Sequence, residues 1–395
     1  MKYALIIPDG AADVPLEELG GRTPLEVAKI PNIAWIARNG RVGTARNVPP
    51  NMPPGSDVAT MSLLGYDPLE YYTGRAPLEA AAQKLQVAPD EWIFRCNFVT
   101  IIDGVMEDNS AGHISTEEAR ALIEQLNASV APPDVRFYPG VSYRHLMVAK
   151  GEFKVATTAP HDILSKPAAD ALPTGQGSQL LRNIMAEAGK VLADSEINAT
   201  RRDLGDNLAT DIWLWGEGKM PTLPSFESRY GKTGRMITAV DLLRGLARLI
   251  GWECVEVAGA TGYLDTNYAG KGAAAVAALD GCDLICVHVE APDEAGHSAD
   301  AKGKVAAIEQ IDKHIVGPLL ERLKAEGDDW RILVLPDHPT PCTIRTHTAE
   351  PVPFAIAGKR IESVMHGLFT EQDAAAGDLH IDRGCELMAY FLTVR

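Results

Sequence analysis

Three short apolar runs, far apart in the chain, each stop at an acidic residue, and that repetition constrains the fold more than any other feature. The first, MKYALII, continues into Pro8, Asp9 and Gly10. The second, CDLICVHV over residues 282–289, continues through Glu290, Asp293, Glu294 and His297. The third, WRILVL over residues 330–335, ends in Pro336, Asp337 and His338. Unbroken apolar runs of this length suit strands of a parallel sheet covered on both faces. Such sheets bind ligands beyond the carboxyl ends of their strands. Three carboxylates are therefore expected on one rim, with His297 and His338 beside them. His347 follows on the proline-rich segment PDHPTPCTIRTHTAEPVPF, residues 336–354.

The segments between these runs support an α/β arrangement. Residues 239–251 have the spacing of an amphipathic helix ending at Gly251, and 253–258 and 353–357 read as strands. Residues 303–326 place Val305, Ile308, Ile311, Ile315, Leu319, Leu320 and Leu323 at helical intervals. Strand and helix alternate, which predicts a mostly parallel sheet with helices on both faces. The middle of the chain differs. Residues 94–106 read as a hairpin or two strands, and 116–128 as a helix opened by Ser115 or Thr116 with Glu118 nearby. Residues 134–149 supply more strand, and 165–190 are rich in Ala, Gly and Pro before a helix. The expected organisation is one α/β domain, residues 1–72 and 206–395, interrupted by a smaller α+β domain at 73–205. No internal repeat is visible.

Composition narrows the partners. The formal charge of −16 argues against nucleic acid, whose phosphates demand a basic face. It leaves room for a small anionic substrate, because local cations outweigh a distant field. The six cysteines are scattered without a CxxC pair and read as buried, reduced thiols. No apolar span reaches 18 residues and no leader pattern precedes the first strand, so a soluble, cytoplasmic protein without a membrane partner is expected. Nothing in the sequence sets an oligomeric state.

A lone aspartate at a strand end is ordinarily a turn residue or a helix cap. Three such ends with histidines at short offsets point to metal binding, because a divalent cation removes the mutual repulsion of gathered carboxylates. Mixed Asp and His ligands suit Mn²⁺ or Zn²⁺. Asp9, Asp293, His297, Asp337, His338 and His347 are too many for one ion with an open position, so two ions are expected. Ser56 in PPGSDVATMS is the other candidate. A serine after Gly and before a helical run is a favoured N-cap. The same position offers free N–H groups to a phosphate, and a metal-bound serine oxygen becomes a nucleophile.

With Asp9, Ser56 in PGSDVATMSLLGY, and the segments PDEAGH, PDH and THT, the chain resembles the alkaline phosphatase superfamily. GGRTPLEVAKIPNIAWIARNG, YTGRAPLEA, RCNFVTIIDGVMEDNSAGHISTEEA and GATGYLDTNYAGKG resemble one branch, the cofactor-independent phosphoglycerate mutases of archaeal type. The resemblance covers about residues 1–360. It implies an alkaline-phosphatase-like fold and one metal held by Asp293, His297 and His347. It implies a second metal held by Asp9, Ser56, Asp337 and His338, and a phosphoserine at Ser56. The implied reaction interconverts 3-phosphoglycerate and 2-phosphoglycerate without 2,3-bisphosphoglycerate. The stretch DHPTP with RTHT also resembles a bacterial subgroup suspected of acting as homoserine kinases, which would change the acceptor and leave the metal ligands as they are. No GxxxxGK[ST] loop is present.

The inserted domain is expected to cover the metal face, exclude water and hold glycerate. Its candidate contacts are Arg95, Asn97, Asp103 and Arg144, since Arg presents a bidentate fork to a carboxylate. His113 matches a histidine that the family places near substrate, and it could move a proton. Lys271, in the α/β domain, is a candidate cation for the phosphate. His161 is a weaker candidate at the cleft. His145, His288, His314, His366 and His380 read as packing or surface residues, and so do the tryptophans and methionines.

Overall fold

The computed structural model describes residues 1–363 and 367–393; His366 lies outside the described residues. The chain divides into two compact units, Met1–Tyr72 with Thr222–Arg395, and Thr73–Pro221.

The first unit is built on an eight-stranded sheet. In chain order its strands are β1 (Lys2–Pro8), β2 (Arg41–Ala45), β3 (Gly234–Ile237), β4 (Glu253–Cys254), β5 (Leu284–Val289), β6 (Trp330–Val334), β7 (Val352–Gly358) and β8 (His380–Ile381). Their spatial order is β4-β3-β5-β1-β6-β7-β2-β8. Every strand except β7 runs the same way; β7 is antiparallel to both β6 and β2. The three acid-ended runs are β5, β1 and β6, side by side, with Pro8 opposite Val289 and Ile6 opposite Val334.

Alternation along these strands explains why both faces are covered. Ala4, Ile6, Ile285, Val287, Ile332 and Val334 pack in one cluster with Ile33, Ala275, Ile308 and Leu319 from four helical segments. Tyr3 points the other way, its ring edge-on to Phe391 at 5.4 Å on the helix Leu387–Thr393. Leu5 and Ile7, on that same side, are fully buried.

Two expected elements are changed. The helix expected over 303–326 is three pieces: Ala301–Ile311, a π turn at Asp312–Val316, and Gly317–Lys324. The wide turn lets the neighbouring helix come close, since a Cβ on Gly272 would lie 1.8 Å from the His314 carbonyl oxygen. It also aims Asp312 at the start of the helix Pro31–Asn39, where its carboxylate accepts from the N–H of Ile33 at 2.7 Å and of Asn32 at 3.2 Å. The strand expected over 253–258 pairs only at Glu253–Cys254.

The second unit centres on the long strand Glu91–Ile102, which pairs antiparallel with Val105–Asp108, Arg144–Lys150 and Asp211–Gly218; Val135–Val141 extends the sheet. Helices Thr116–Ser129 and Ser178–Ala193 bury Leu122, Leu126, Leu181 and Ile184 against Phe94, Phe98 and Met147. Ser115 caps the first of these with Glu118 in a reciprocal box. The sequence-based boundary at 205 is corrected to 221. Asp211–Gly218 hydrogen-bonds along Glu91–Ile102, so cutting before it would expose a central ladder.

Candidate metal centre and nucleophile

Asp9 is the first residue beyond β1, and its N–H is still held by the Val289 carbonyl at 3.0 Å. Asp337 follows β6, where its Oδ1 accepts from the N–H of Gly10 at 3.2 Å and of His338 at 2.9 Å. Gly10 has φ +61, and a Cβ there would sit 2.5 Å from Thr340 Oγ1 and 2.6 Å from Asp293 Oδ1, so only glycine permits this approach. His338 Nε2 lies 3.5 Å from Asp9 Oδ1 and 3.4 Å from Asp337 Oδ2. Those same two oxygens are buried without a hydrogen-bond partner.

Burial, then the Asp337 and Asp293 carboxylates, push Asp9 well above the usual carboxylate range. Burial pushes Asp337 upward too, but the neighbouring His338, with Asp9, outweighs it and holds Asp337 low. The protein chain alone thus relieves two crowded carboxylates with one proton. A divalent cation relieves them better, and the two orphaned oxygens fit it as ligands.

The second cluster comes from the short helix Ala291–His297, which begins directly after β5. Asp293 and His297 are four residues apart and so share a helix face. His297 Nε2 is 3.2 Å from Asp293 Oδ2, His347 Nε2 is 3.4 Å from Asp293 Oδ1, and the two ring nitrogens face each other at 2.9 Å. The Arg345 carbonyl lies 2.9 Å from His297 Nδ1 and accepts its proton, which orients the ring with Nε2 towards Asp293 and His347. Hydrogen bonding to Asp293 raises His297 to about 9, against burial. Burial raises Asp293, but His297 and His347 outweigh it and take the carboxyl well below its usual range. Asp293, His297 and His347 form one group able to hold an ion; Asp9, Asp293 and His338 form another, and Asp9, His288 and Asp337 a third, each with its ligand atoms within 4.8 Å of one another.

Ser56 is the first residue of the helix Ser56–Leu63, with Gly55 at the N-cap, and its side chain caps nothing. The Asp57 carboxylate instead accepts from Val58 N–H at 3.0 Å and from the Tyr72 hydroxyl at 2.7 Å. Ser56 Oγ is left 3.3 Å from Asp9 Oδ2 and 3.1 Å from His338 Nε2. The structure therefore gathers Asp9, Ser56, Asp293, His297, Asp337, His338 and His347 at the ends of three adjacent strands.

Two neighbours escaped the sequence reading. His288, read there as packing, is fully buried, but its Nε2 is 2.9 Å from Asp9 Oδ2 and its Nδ1 is 3.2 Å from Thr238 Oγ1. Burial takes it down to about 4, so it is neutral at ordinary pH. The available clue was a histidine two residues before an acid-ended strand terminus. Thr340, also fully buried, hydrogen-bonds Asp293 Oδ1 at 2.5 Å. Lys271 lies on the helix Tyr268–Ala278, wholly buried, with its Nζ 3.5 Å from the Thr261 carbonyl. Burial pulls it down to about 8, with Glu290 opposing.

In the second unit, Arg95 and Asn97 lie on the central strand, with Arg144 paired opposite Asn97. Arg95 is buried, ion-paired with Glu79 at 3.0 Å, and its guanidinium lies 4.3 Å from the Trp215 ring centroid; its Nε has no partner. Trp215 Nε1 donates to Asn97 Oδ1 at 3.2 Å, so this tryptophan supports polar groups as well as packing. Arg144 and His113 flank the Tyr143 ring at 5.8 and 6.0 Å. His161 packs edge-on against Trp215 at 5.4 Å. Asp103 is not with them: it occupies a turn at φ +49, about 20 Å along the strand from Asn97 at the usual rise per residue.

The family model for 2,3-bisphosphoglycerate-independent phosphoglycerate mutase matches residues 37–198. A protein of that description from Methanothrix thermoacetophila is 50% identical over 98% of this chain and 98% of its own. A solved structure from Pyrococcus horikoshii superimposes with a TM-score of 0.83 at 29% identity, covering 99% of this chain and 96% of that one. The cofactor-independent phosphoglycerate mutase from Thermoplasma acidophilum superimposes with a TM-score of 0.68 at 28% identity, over 100% of both chains. Among the described residues, no helix is long and apolar enough to cross a membrane.

Proposed function

The chain belongs to the 2,3-bisphosphoglycerate-independent phosphoglycerate mutases, and from that premise we propose that Ser56 carries the phosphoryl group between the two hydroxyls of glycerate. The observation that supports this most is the position of Ser56 Oγ, free of any capping bond and set between Asp9 and His338. Asp293, His297 and His347 would hold one divalent ion, and Asp9, Ser56, Asp337 and His338 the other. Mn²⁺ and Zn²⁺ suit this mixture of oxygen and imidazole donors. When bound, such ions supply positive charge that neutralises a phosphate and acidifies a coordinated hydroxyl.

The chain's own groups then have defined tasks. Asp9 and His338 orient the Ser56 hydroxyl, which passes its proton to Asp9 Oδ2 as Oγ attacks phosphorus in line. The bond from phosphorus to the glycerate oxygen breaks, and that oxygen leaves as an alkoxide and takes a proton from water. Glycerate reorients, its other hydroxyl gives its proton to water and attacks phosphoserine, the bond from phosphorus to Oγ breaks, and Ser56 recovers its proton from Asp9. Lys271 supplies a further cation for the phosphate. Within the second unit, Arg95 and Arg144, with Asn97 beside them, carry guanidinium forks of the kind that hold a carboxylate, and His113 is a side chain able to exchange a proton. Six free thiols fit a reducing compartment such as the cytoplasm.

Conversion of 3-phosphoglycerate, measured by coupling to enolase without added 2,3-bisphosphoglycerate, tests the reading. Activity should require Mn²⁺ or Zn²⁺ and vanish in Ser56→Ala, whose thermal melt should match that of the parent. Intact mass should show a phosphoryl adduct on the parent after substrate quench. An adduct on Ser56→Ala would remove Ser56 from the mechanism. Phosphohomoserine formed from ATP and homoserine, with no mutase turnover, would reassign the acceptor.

A further inference from the structure

We propose that Thr340 is a positioning residue that ties the two ligand clusters together and sets which ring nitrogen of His338 carries the proton, leaving Nε2 for Ser56 and the ion. The inference rests on the two-ion reading and adds a residue to it. Thr340 Oγ1 lies 2.5 Å from Asp293 Oδ1 and 3.2 Å from His338 Nδ1. A threonine hydroxyl has one hydrogen, and an ionised carboxylate can only accept. The hydrogen therefore goes to Asp293, and towards His338 the oxygen can only accept. The Pro339 carbonyl, 3.3 Å from the same Nδ1, is also acceptor-only. Both neighbours require a proton on Nδ1. With Nδ1 held in this way, the ring turns Nε2 to Ser56 Oγ, to Asp9 Oδ1 and to Asp337 Oδ2, where an ion would take its lone pair.

The hydroxyl is held in this position. Thr340 N–H donates to the Ala12 carbonyl at 3.2 Å, and its own carbonyl accepts from Lys304 Nζ at 2.8 Å. Gly10 and Gly296 leave room for it on two sides; a Cβ on Gly296 would lie 2.4 Å from the Thr340 carbonyl oxygen and 2.9 Å from its Cγ2. One side chain thus fixes Asp293 in the first cluster and His338 in the second.

The test compares the parent, Thr340→Val, which keeps the shape without the hydroxyl, and Thr340→Ser, which keeps the hydroxyl without the methyl. Each is stripped of metal with chelator and titrated with Zn²⁺ against a competing chelator. Thr340→Val should bind Zn²⁺ ~10–100-fold more weakly, the range usual for loss of a group that orients a ligand. Thr340→Ser should bind like the parent, with all three metal-free forms melting together. Nitrogen NMR of the Zn²⁺-loaded parent should show the His338 proton on Nδ1, a readout that stands even if Thr340→Val fails to fold. Parent-like affinity in Thr340→Val, equal weakness in Thr340→Ser, or a proton on Nε2 would each overturn the proposal. A parent that binds no ion at all would instead overturn the two-ion reading beneath it.

Discussion

The two oxygens of Asp9 have different surroundings. Oδ2 faces His288 Nε2 at 2.9 Å and the Ser56 hydroxyl at 3.3 Å, while Oδ1 has no hydrogen-bond partner. That asymmetry leaves Oδ1 for a cation, and it depends on a neutral His288. His288→Leu should weaken metal binding ~10–100-fold, as other losses of a supporting hydrogen bond do. His288→Gln, whose amide retains a donor, should recover part of it, and metal titration reads both. Lys271 makes a separate prediction. Its pKa is pulled down to about 8, so its charge is lost as pH rises through that value. KM for the phosphorylated substrate should rise above that pH, and in Lys271→Arg, which stays charged, the rise should disappear. The six Asp and His candidates were legible as residue types at or just after strand ends, and Ser56 as the serine that opens a helix. The roles of His288 and Thr340 were not, because each acts through a hydrogen bond to another strand or loop, and spacing along one chain does not encode that.

At the scale of elements, the loops after β1 and β6 are pinned by a buried ion pair. Lys304 Nζ, on the helix Ala301–Ile311, meets Asp13 Oδ2 at 2.8 Å, both side chains having 0% exposure. It also donates to the Ala12 carbonyl at 3.3 Å. Removing one partner of such a pair leaves an uncompensated buried charge, at a cost of ~3–5 kcal/mol. Lys304→Met should lower the urea midpoint accordingly, and adding Asp13→Asn should restore much of the loss. Equal midpoints for Lys304→Met and the parent would show that the pair holds nothing in place. Helical periodicity foretold residues 303–326 as one helix but gave no sign of the π turn at Asp312–Val316. That turn answers to Gly272 and to the N–H groups of Asn32 and Ile33, which belong to other helices.

Across the whole molecule, a net charge of −16 coexists with three carboxylates packed at one point. Metal binding should therefore be a large part of folded-state stability. An ion at a thousandfold excess over its dissociation constant contributes about 4 kcal/mol. Chelator should lower the melting temperature of the parent markedly. It should lower that of an Asp9→Asn, Asp337→Asn double variant much less, because that form binds weakly and carries less repulsion. A parent melt indifferent to chelator would contradict this.

By itself the sequence determined the α/β class, the strands that carry the site and the residue types able to bind metal. Those follow from short-range periodicity and from acids placed at the ends of apolar runs. Only the tertiary structure decided that β5, β1 and β6 are neighbours, that Asp211–Gly218 belongs to the second unit, and that Asp9 Oδ1 and Asp337 Oδ2 are left without donors. Strand order and orphaned atoms depend on contacts between residues hundreds of positions apart, and those exist only after the chain has packed.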